Sequence, residues 1–310
     1  MKMNDYIELV NDKLDEFIQI EYPENIFKSM KYTVLLPGKR LRPVMCLETC
    51  RMLGGEIEDA IPTACAIEML HAQTLIHDDL PCMDNDDFRR GKPSNHKMFG
   101  EAIAVLAGDA LLTFAPQTIV KQSKNLSPSV LIRVLNEYFQ FAGARGVIAG
   151  QVVDIESEGL LSNLPEQKKC HSELDSESVK SEKLEEVLEY LHLHKTSDLF
   201  QLAMRTGAII AGADDEKIEA VTEFAKTFGL AFQIADDILD EVSTFEEMGK
   251  TLGKDKEEGK LTYVSLYGLE DAKCKLSCLF EKCCDIMKKQ NLDSEIFEDM
   301  IKKIMKRAGI

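Results

Sequence analysis

The spacing of apolar residues is the feature that most limits how this chain can fold. Apolar residues recur three and four positions apart along almost the whole chain, and alternating β-branched runs are nearly absent. A repeat near 3.6 residues is typical of amphipathic helices, whereas a half-buried strand alternates every second residue. The pattern therefore predicts an all-α protein with about ten helices.

Two segments are apolar on nearly every side, 64–76 and 102–115, the latter apart from Gly108 and Asp109. Helices of this kind belong in the centre of a bundle. No interior Gly/Ser/Pro-rich linker separates two halves that each carry enough apolar residues for a core. We therefore predict a single domain over 1–310.

One stretch, 165–183, differs in composition from the rest. It is mostly Ser, Glu, Lys and Asp, with only Cys170, Leu174 and Val179 as apolar side chains. So little apolar surface does not offset the entropy lost on ordering. We expect a flexible insertion between two helices, with a functional lid as the alternative.

Charge and cysteine content limit the partners and the compartment. Against 54 acidic residues stand 37 Lys and Arg, a formal net charge of -17, which repels nucleic acid and anionic lipid. No basic-then-apolar leader and no run of 18 uncharged apolar residues occurs, so we expect no signal peptide and no stable membrane insertion. The nine cysteines include no CxxC pair, which is typical of reduced thiols in the cytoplasm.

Two aspartate clusters follow buried apolar stretches. The first has five aspartates within 78–87; the second has Asp236, Asp237 and Asp240, of which the first and last share one helix face. Solvated helix ends explain a lone acidic run, but carboxylates among so many apolar neighbours need cations to offset their lost hydration. Oxygen-only ligand sets suit Mg²⁺, which completes its shell with water and substrate phosphate.

Basic residues accompany both clusters in this otherwise acidic chain. Arg binds phosphate through its planar fork and Lys as a point charge. These cations are Lys39, Arg40, Arg42, Arg89, Arg90, Lys195, Lys250 and Lys260. Two Mg²⁺-binding faces and several cations predict a site for two diphosphates. Because no nucleophile motif or Walker loop is present, the pattern favours electrostatic departure of a diphosphate, with the apolar interior holding the resulting carbocation.

The run 75–93, LIHDDLPCMDNDDFRRGKP, closely resembles the first aspartate-rich motif of the short-chain trans-polyprenyl diphosphate synthases, the farnesyl and geranylgeranyl diphosphate synthases. Further matching segments occur in the family's order at 38–43, 108–112, 150–154, 194–196, 232–240 and 249–263. The resemblance spans about 35–270. It implies the isoprenoid synthase fold, an all-helical bundle around a central active-site cavity, and a homodimer. It also implies condensation of isopentenyl diphosphate with dimethylallyl, geranyl or farnesyl diphosphate.

The resemblance also assigns roles to matching residues. Magnesium, with three ions per active site, would be bound by Asp78, Asp79, Asp84, Asp236, Asp237 and Asp240. Isopentenyl diphosphate would be held by Lys39, Arg42, His71 and Arg90. The allylic diphosphate would be held by Arg89, Lys195, Thr196, Gln233, Lys250 and Lys260. The predicted catalytic residues are Asp78, Asp79, Asp236 and Lys195.

The chain departs from the shorter form of the motif. Four residues separate Asp79 from Asp84 where that form has two, which resembles the bacterial and plastid-type subgroup. Pro81 suggests a bulge that still directs Asp84 to the metal. The insertion at 165–183 is not part of the family pattern.

Product length depends on the residues one turn below Asp78, which are Gln73 and Thr74. Family enzymes that stop at fifteen carbons often carry an aromatic residue there. The pocket of this chain therefore favours twenty carbons, geranylgeranyl diphosphate, although the polar Gln73 keeps farnesyl diphosphate as a serious alternative.

Three other functions remain to be weighed. A ferritin-like di-iron site would use the Glu-x-x-His spacing of Glu68 with His71 and of Glu189 with His192. That site leaves both aspartate clusters unexplained.

A non-catalytic subunit commonly loses an aspartate motif, and a terpene cyclase mixes other residues into its second motif; this chain keeps both motifs with aspartate throughout.

Overall fold

The computed structural model describes residues 1–157, 174–242, 260–292 and 294–310, with only the backbone described for 174–182. The helices in these ranges are α1 (Met3–Phe17), α2 (Glu24–Val34), α3 (Leu41–Met52), α4 (Ile57–Asp78), α5 (Asn95–Phe99), α6 (Glu101–Gln122), α7 (Pro128–Ala142), α8 (Val147–Ser157), α9 (Leu174–Leu191), α10 (Asp198–Ile210), α11 (Asp215–Val242), α12 (Tyr263–Tyr267), α13 (Leu269–Gln290) and α14 (Glu295–Arg307). A π-helix, His192–Ser197, joins α9 to α10, and a hairpin of β1 (Phe88–Arg89) and β2 (Lys92–Pro93) lies between α4 and α5. The all-α prediction is confirmed.

Helix α4 is the central element of the bundle. It packs against α3, α6 and α10, and its residues 60–70 are buried on all sides. Glu58 and Asp59 in its first turn match the positive end of the helix dipole. Burying each large apolar side chain of this helix contributes about 1.5–3 kcal/mol. The predicted central helix over 64–76 is therefore present, and it ends at Asp78 in the first aspartate cluster.

Helix α6 covers the second apolar segment but is less enclosed than its composition predicts. One side packs on α4, whereas Val105 and Leu106 on the other side are 41% and 53% exposed. By length and composition this described helix could also cross a membrane, although 44% of its most apolar window is buried in the bundle. Helix α6 thus has two apolar faces, one packed against α4 and one partly exposed on the surface.

A buried carboxylate links the two ends of the described chain. Glu48 on α3 accepts hydrogen bonds from the Tyr6 hydroxyl of α1 at 2.8 Å and from the Ser294 hydroxyl that precedes α14 at 2.7 Å. Arg51 donates to both Glu48 oxygens at 2.8 Å. These donors outweigh burial and lower the pKa of Glu48. The network fixes α1 and α14 on the same face of α3.

The segment predicted to be a flexible insertion is partly helical. Helix α9 starts at Leu174, so 174–183 has helical backbone, and residues 158–173 lie outside the described part of the chain. Leu, Glu and Lys, which are frequent in 174–191, have high helix propensity, which the argument from composition ignored. Flexibility over 165–173 stays a prediction.

Candidate active site

Two cavities meet at the aspartate clusters. The main cavity has a volume of about 670 Å³ and lies between α4, α6, α8 and α11; the side cavity has about 180 Å³. Asp78, Lys195 and Asp236 line both. The site thus has a charged junction, from which the main cavity extends along α8 toward apolar side chains.

The first aspartate cluster is shaped by a turn at the end of α4. The Asp84 amide donates to the Asp78 carbonyl at 2.9 Å, and the Asn85 amide donates to the Leu80 carbonyl at 3.1 Å. Asn85 has φ of 49°, a left-handed conformation that Asn tolerates. The chain therefore folds back and brings Asp84 beside Asp78, which is the bulge that Pro81 predicts.

The two carboxylates of this turn have opposite pKa shifts. Burial raises the pKa of Asp78 to about 7. Burial acts in the same direction on Asp84, but Lys195 and Lys260 outweigh it and lower the pKa of that carboxyl; Lys260 donates to it at 3.2 Å. The protein thus does not fully compensate the negative charge of the Asp78 carboxylate, and an additional cation would stabilise that charge.

Asp79 does not share this arrangement. It is 2% exposed, lines neither cavity, and forms a short ion pair with Arg89. Burial raises its pKa to about 6 in spite of Arg89. Its neighbour Asp78 lines both cavities, so the two adjacent carboxylates have different surroundings. The Asp79 side chain anchors Arg89, and its predicted metal role stays a prediction.

The second cluster is divided in the same way. Asp236 lines both cavities, whereas Asp240 lines neither. Asp237 is 6% exposed and accepts hydrogen bonds from the Gln233 amide at 3.0 Å and the Tyr263 backbone at 2.8 Å. Burial acts to raise the pKa of Asp237, but His192, 3.5 Å away, and these donors lower it. Asp237 thus lines the side cavity while these partners hold it in place, and the predicted metal roles of Asp237 and Asp240 stay predictions.

The π-helix presents Lys195 and Thr196 to the site. A Cβ built on Gly150 would lie 2.2 Å from the Lys195 backbone nitrogen, so glycine is needed for α8 to approach this closely. Lys195 forms a short ion pair with Asp154, one turn further along α8. Burial acts to lower the pKa of Lys195, but Asp154 and the aspartate cluster raise it. The π-helix, a feature often found at functional sites, thus holds a charged lysine at the junction.

A chain of hydrogen bonds continues from the π-helix to the second cluster. The Thr196 hydroxyl donates to the Gln233 side-chain oxygen at 2.5 Å, and the Gln233 amide donates to Asp237. Both Thr196 and Gln233 line the two cavities. Their orientation is therefore set by the buried Asp237.

The hairpin β1–β2 carries two predicted arginines. Arg90 and Gly91 at its turn have φ of 54° and 72°, as in the primed turns that suit two-residue hairpins. Arg90 donates to the His71 Nε2 atom at 3.3 Å. Burial and the nearby Arg42 hold the pKa of His71 well below its usual value, so the ring is neutral and accepts this bond.

Arg42 completes this cationic pocket. Its guanidinium lies over the Phe200 ring, 4.6 Å from the centroid, and burial lowers its pKa to about 10. The buried Nε of Arg42 has no hydrogen-bond partner in the protein. Arg42, His71 and Arg90 line the main cavity together, as predicted for isopentenyl diphosphate.

Three other predicted cations are not among the residues that line the cavities. Arg40 is 3% exposed, with φ of 49°; it donates to Glu68 at 2.5 Å and to the Val34 and Leu36 carbonyls at 2.8 and 3.0 Å. It is therefore committed to the fold rather than to phosphate. Lys39 is exposed and lines neither cavity, and Lys250 lies outside the described residues.

The comparisons with known proteins agree with this geometry. The polyprenyl synthetase family profile matches residues 23–304. The chain belongs to this family. It is 47% identical over 264 residues to geranylgeranyl pyrophosphate synthase 7, chloroplastic, of Arabidopsis thaliana, covering 85% of this chain and 71% of the relative. It is also 47% identical to the heterodimeric geranylgeranyl pyrophosphate synthase large subunit 1, chloroplastic, of the same plant, covering 86% and 67%.

A solved structure of the family supports the fold as well. The geranyltransferase from Helicobacter pylori, complexed with magnesium and isoprenyl diphosphate, is 27% identical and has a TM-score of 0.77, with 98% of this chain and 96% of that chain covered. The predicted resemblance and fold are thus confirmed. The ferritin-like alternative is excluded, because the Glu68 carboxylate is paired with Arg40 and Glu189 is exposed to solvent.

The chemistry of the donors fits Mg²⁺. The carboxylates of the described residues that line the cavities are all oxygen donors: Asp78, Asp84, Asp109, Asp154, Asp236 and Asp237. Within the described ranges no three His, Cys, Asp or Glu side chains converge as a ready-made metal site. Mg²⁺ usually takes only one or two carboxylates and fills its shell with water and phosphate, so this polyprenyl synthetase needs no such trio.

Three supporting residues were given no role in this site from the sequence. Asp154 pairs with Lys195, Glu68 pairs with Arg40, and His192 lies against Asp237. Asp154 is an acidic residue in the otherwise mostly apolar segment of α8, and this contrast is the sequence signal that could have identified it. Glu68 and His192 carried a signal too, but their Glu-x-x-His spacing pointed to iron instead.

Proposed function

We propose that this protein is a Mg²⁺-dependent trans-prenyltransferase that condenses isopentenyl diphosphate with dimethylallyl, geranyl and farnesyl diphosphates. The observation that carries the proposal is the junction where Asp78 and Asp84 face Asp236 among basic side chains, at the mouth of a cavity with apolar walls. The names of the Arabidopsis and Helicobacter relatives support the same reaction.

The charged junction would bind the allylic diphosphate. We propose that Asp78, Asp84 and Asp236 would hold three Mg²⁺ ions. The positive charge of these ions would offset the negative charge of the leaving diphosphate. Arg89, Lys195 and Lys260 supply fixed positive charge at the same place. Charges held ready in a low-dielectric site stabilise developing negative charge without reorganisation, a contribution of several kcal/mol to the barrier. Thr196 and Gln233 orient the diphosphate, and Lys250 is proposed to join them.

The second substrate would lie in the cationic pocket. Arg42, His71 and Arg90 would bind the diphosphate of isopentenyl diphosphate, with Lys39 at the rim. The isopentenyl double bond attacks the allylic cation, a new C–C bond forms, and a proton is lost from the adduct. The departing diphosphate is the base that takes this proton in our proposal, as the resemblance to the family implies.

The shape of the main cavity favours a twenty-carbon product. Gln73 and Thr74 line it, as predicted, and the facing wall on α8 is formed by Ile148, Val152 and Ile155. Helix α4 carries no Phe, Tyr or Trp that would close the cavity from its side. We therefore propose geranylgeranyl diphosphate as the main product over farnesyl diphosphate, and we expect Gln73→Tyr to shorten the product.

One experiment tests the reaction and the product together. The purified protein is incubated with dimethylallyl and isopentenyl diphosphates and Mg²⁺, and the products are identified by mass. A twenty-carbon diphosphate supports the proposal. A fifteen-carbon end product would contradict the length, products of thirty carbons or more would contradict the short-chain assignment, and no prenyl diphosphate would contradict the reaction.

We also propose a homodimer in the cytoplasm. Exposed apolar side chains on α6 and α7, among them Leu106 at 53% and Phe139 at 60%, form a surface that a second copy of the chain would cover. The described cysteines are free thiols, which fits a reducing compartment. Light scattering tests the assembly: a mass of two chains supports it, and a stable monomer contradicts it. A need for a different subunit, as in the heterodimeric relative, would contradict it too.

A further inference from the structure

The wall of the main cavity on α4 contains polar side chains where a hydrocarbon tail would pass. Gln73 and His77 both line the cavity opposite the apolar wall on α8. An amide buried against hydrocarbon without a partner costs free energy, so a tail will avoid it unless its hydrogen bonds are satisfied. How the Gln73 amide is held therefore affects which tails the cavity accepts.

Hydrogen bonds fix both side chains in one arrangement. The Gln73 Nε2 atom lies 3.1 Å from the His77 Nδ1 atom, and the His77 Nε2 atom lies 3.1 Å from the Val105 carbonyl oxygen of α6. A carbonyl can only accept, so the His77 Nε2 atom carries the proton. In the neutral ring Nδ1 must then accept, and the Gln73 amide donates to it. His77 thus connects Gln73 to the backbone of α6.

The backbone of α6 is shaped to receive this ring. A Cβ built on Gly108 would lie 2.0 Å from the His77 Nε2 atom, so the imidazole occupies the place of a side chain at that position. The ring cannot shift toward α6, and the two hydrogen bonds prevent rotation. The pair of His77 and Gln73, which we call the amide clamp, is therefore a rigid part of the cavity wall.

We propose that His77 is a specificity-determining positioning residue that holds the Gln73 amide so that the cavity accepts the longest allylic tails. This inference rests on the proposed prenyltransferase function. Gln73 lies five residues before Asp78, about 7.5 Å along the helix axis from the charged junction. A tail of one isoprene unit ends close to that junction, whereas a fifteen-carbon tail must pass the clamp. Only the longer substrate should therefore respond to its loss.

The test uses two substitutions of equal shape. Asn places its side-chain oxygen near the position of Nδ1 and can still accept from Gln73, whereas Leu has the same size and cannot. Both variants lose the ring against Gly108, so the packing defect is common to them. KM and kcat are measured with dimethylallyl, geranyl and farnesyl diphosphates in turn at saturating isopentenyl diphosphate, and products are identified by mass.

For His77→Leu we expect the KM of the longest allylic substrate that the parent extends to rise about tenfold, equivalent to about 1.4 kcal/mol, with the KM for dimethylallyl diphosphate changed less than twofold. The product should become one isoprene unit shorter. His77→Asn should stay within about threefold of the parent. Equal effects of Leu and Asn, or a Leu variant that behaves as the parent, would overturn the proposal.

A second background keeps the proposal testable if His77→Leu folds poorly. In Gln73→Leu the amide is gone, so adding His77→Asn or His77→Leu should not change the KM for the long substrate by more than about twofold. A tenfold effect in that background would also overturn it. The proposed function fails separately, because the parent protein alone would then make no prenyl diphosphate.

Discussion

The buried ion pair between Arg40 and Glu68 allows a quantitative prediction about stability. Their side chains are 2% and 3% exposed and lie 2.5 Å apart, and the remaining partners of Arg40 are neutral oxygens. Glu68→Gln keeps the size of the side chain but removes its charge. Arg40 would then be a buried cation without a counter-ion. Breaking a pair of this kind lowers the free energy of unfolding by about 3–5 kcal/mol. This is a large part of the total of about 5–15 kcal/mol that is typical of folded proteins.

Urea denaturation followed by circular dichroism measures this loss. The matched control is Glu16→Gln, which breaks the Lys13–Glu16 pair of nearly equal length, 2.6 Å, with Glu16 61% exposed. We expect the control to lose less than about 1 kcal/mol. If Glu68→Gln lost no more than the control, the reasoning about burial would be refuted. Replacing both residues, by Arg40→Met and Glu68→Leu, should recover much of the loss because the buried guanidinium is removed together with its counter-ion. Arg90, which lies 3.8 Å from Glu68, is 22% exposed and keeps contact with water.

Two further predictions concern the site, and a third concerns Asp198, the first residue of α10, whose carboxylate lies 2.8 Å from the His194 ring. Asp78→Asn should lower turnover by roughly 10³-fold, since it removes an anchor for the ion that stabilises the leaving diphosphate, and near-normal turnover of the purified variant would contradict this role. Lys39→Ala should mainly raise the KM for isopentenyl diphosphate, because its charge acts in the ground and transition states alike; an unchanged KM in steady-state assays would exclude that contact. Burial raises the pKa of Asp198 to about 6, so ionisation of this carboxyl opposes folding. The protonated carboxyl contributes its full stability below about pH 4, and this contribution is lost as the pH rises through about 6. Asp198→Asn should therefore gain stability relative to the parent between pH 4 and 7, by at most about 3 kcal/mol in urea titrations, and a constant difference would contradict the shift.

The sequence predicted which segments meet at the site but not which side chains face it. Both aspartate clusters and the Lys195–Thr196 pair lie at the junction, because apolar periodicity and motif order locate the ends of buried helices. Two neighbouring aspartates of the first cluster nevertheless have different surroundings. Asp78 faces the cavities and Asp79 binds Arg89. A linear motif does not state this division.

Arg40 and Arg42 show the same limit for cations. Both arginines stand in one short basic run, yet only Arg42 lines the main cavity. The left-handed backbone at Arg40, with φ of 49°, turns its side chain toward Glu68. Sequence spacing gives no sign of that conformation at a residue other than Gly or Asn. The hairpin that carries Arg89 and Arg90 was missed for a related reason, because strands of two residues have no periodicity to detect.

The charges at the junction explain why the metal would arrive with the substrate. Arg89 pairs with Asp79, Lys195 with Asp154, and Lys260 with Asp84, so these basic side chains are already bound to acids within the protein. A bare diphosphate would have to compete with those carboxylates for each cation. A diphosphate that carries Mg²⁺ brings little net charge and can use the remaining carboxylate oxygens as metal ligands, including those of Asp78, whose raised pKa reflects incomplete compensation. The pairing within the protein therefore favours the metal–diphosphate complex over either component alone.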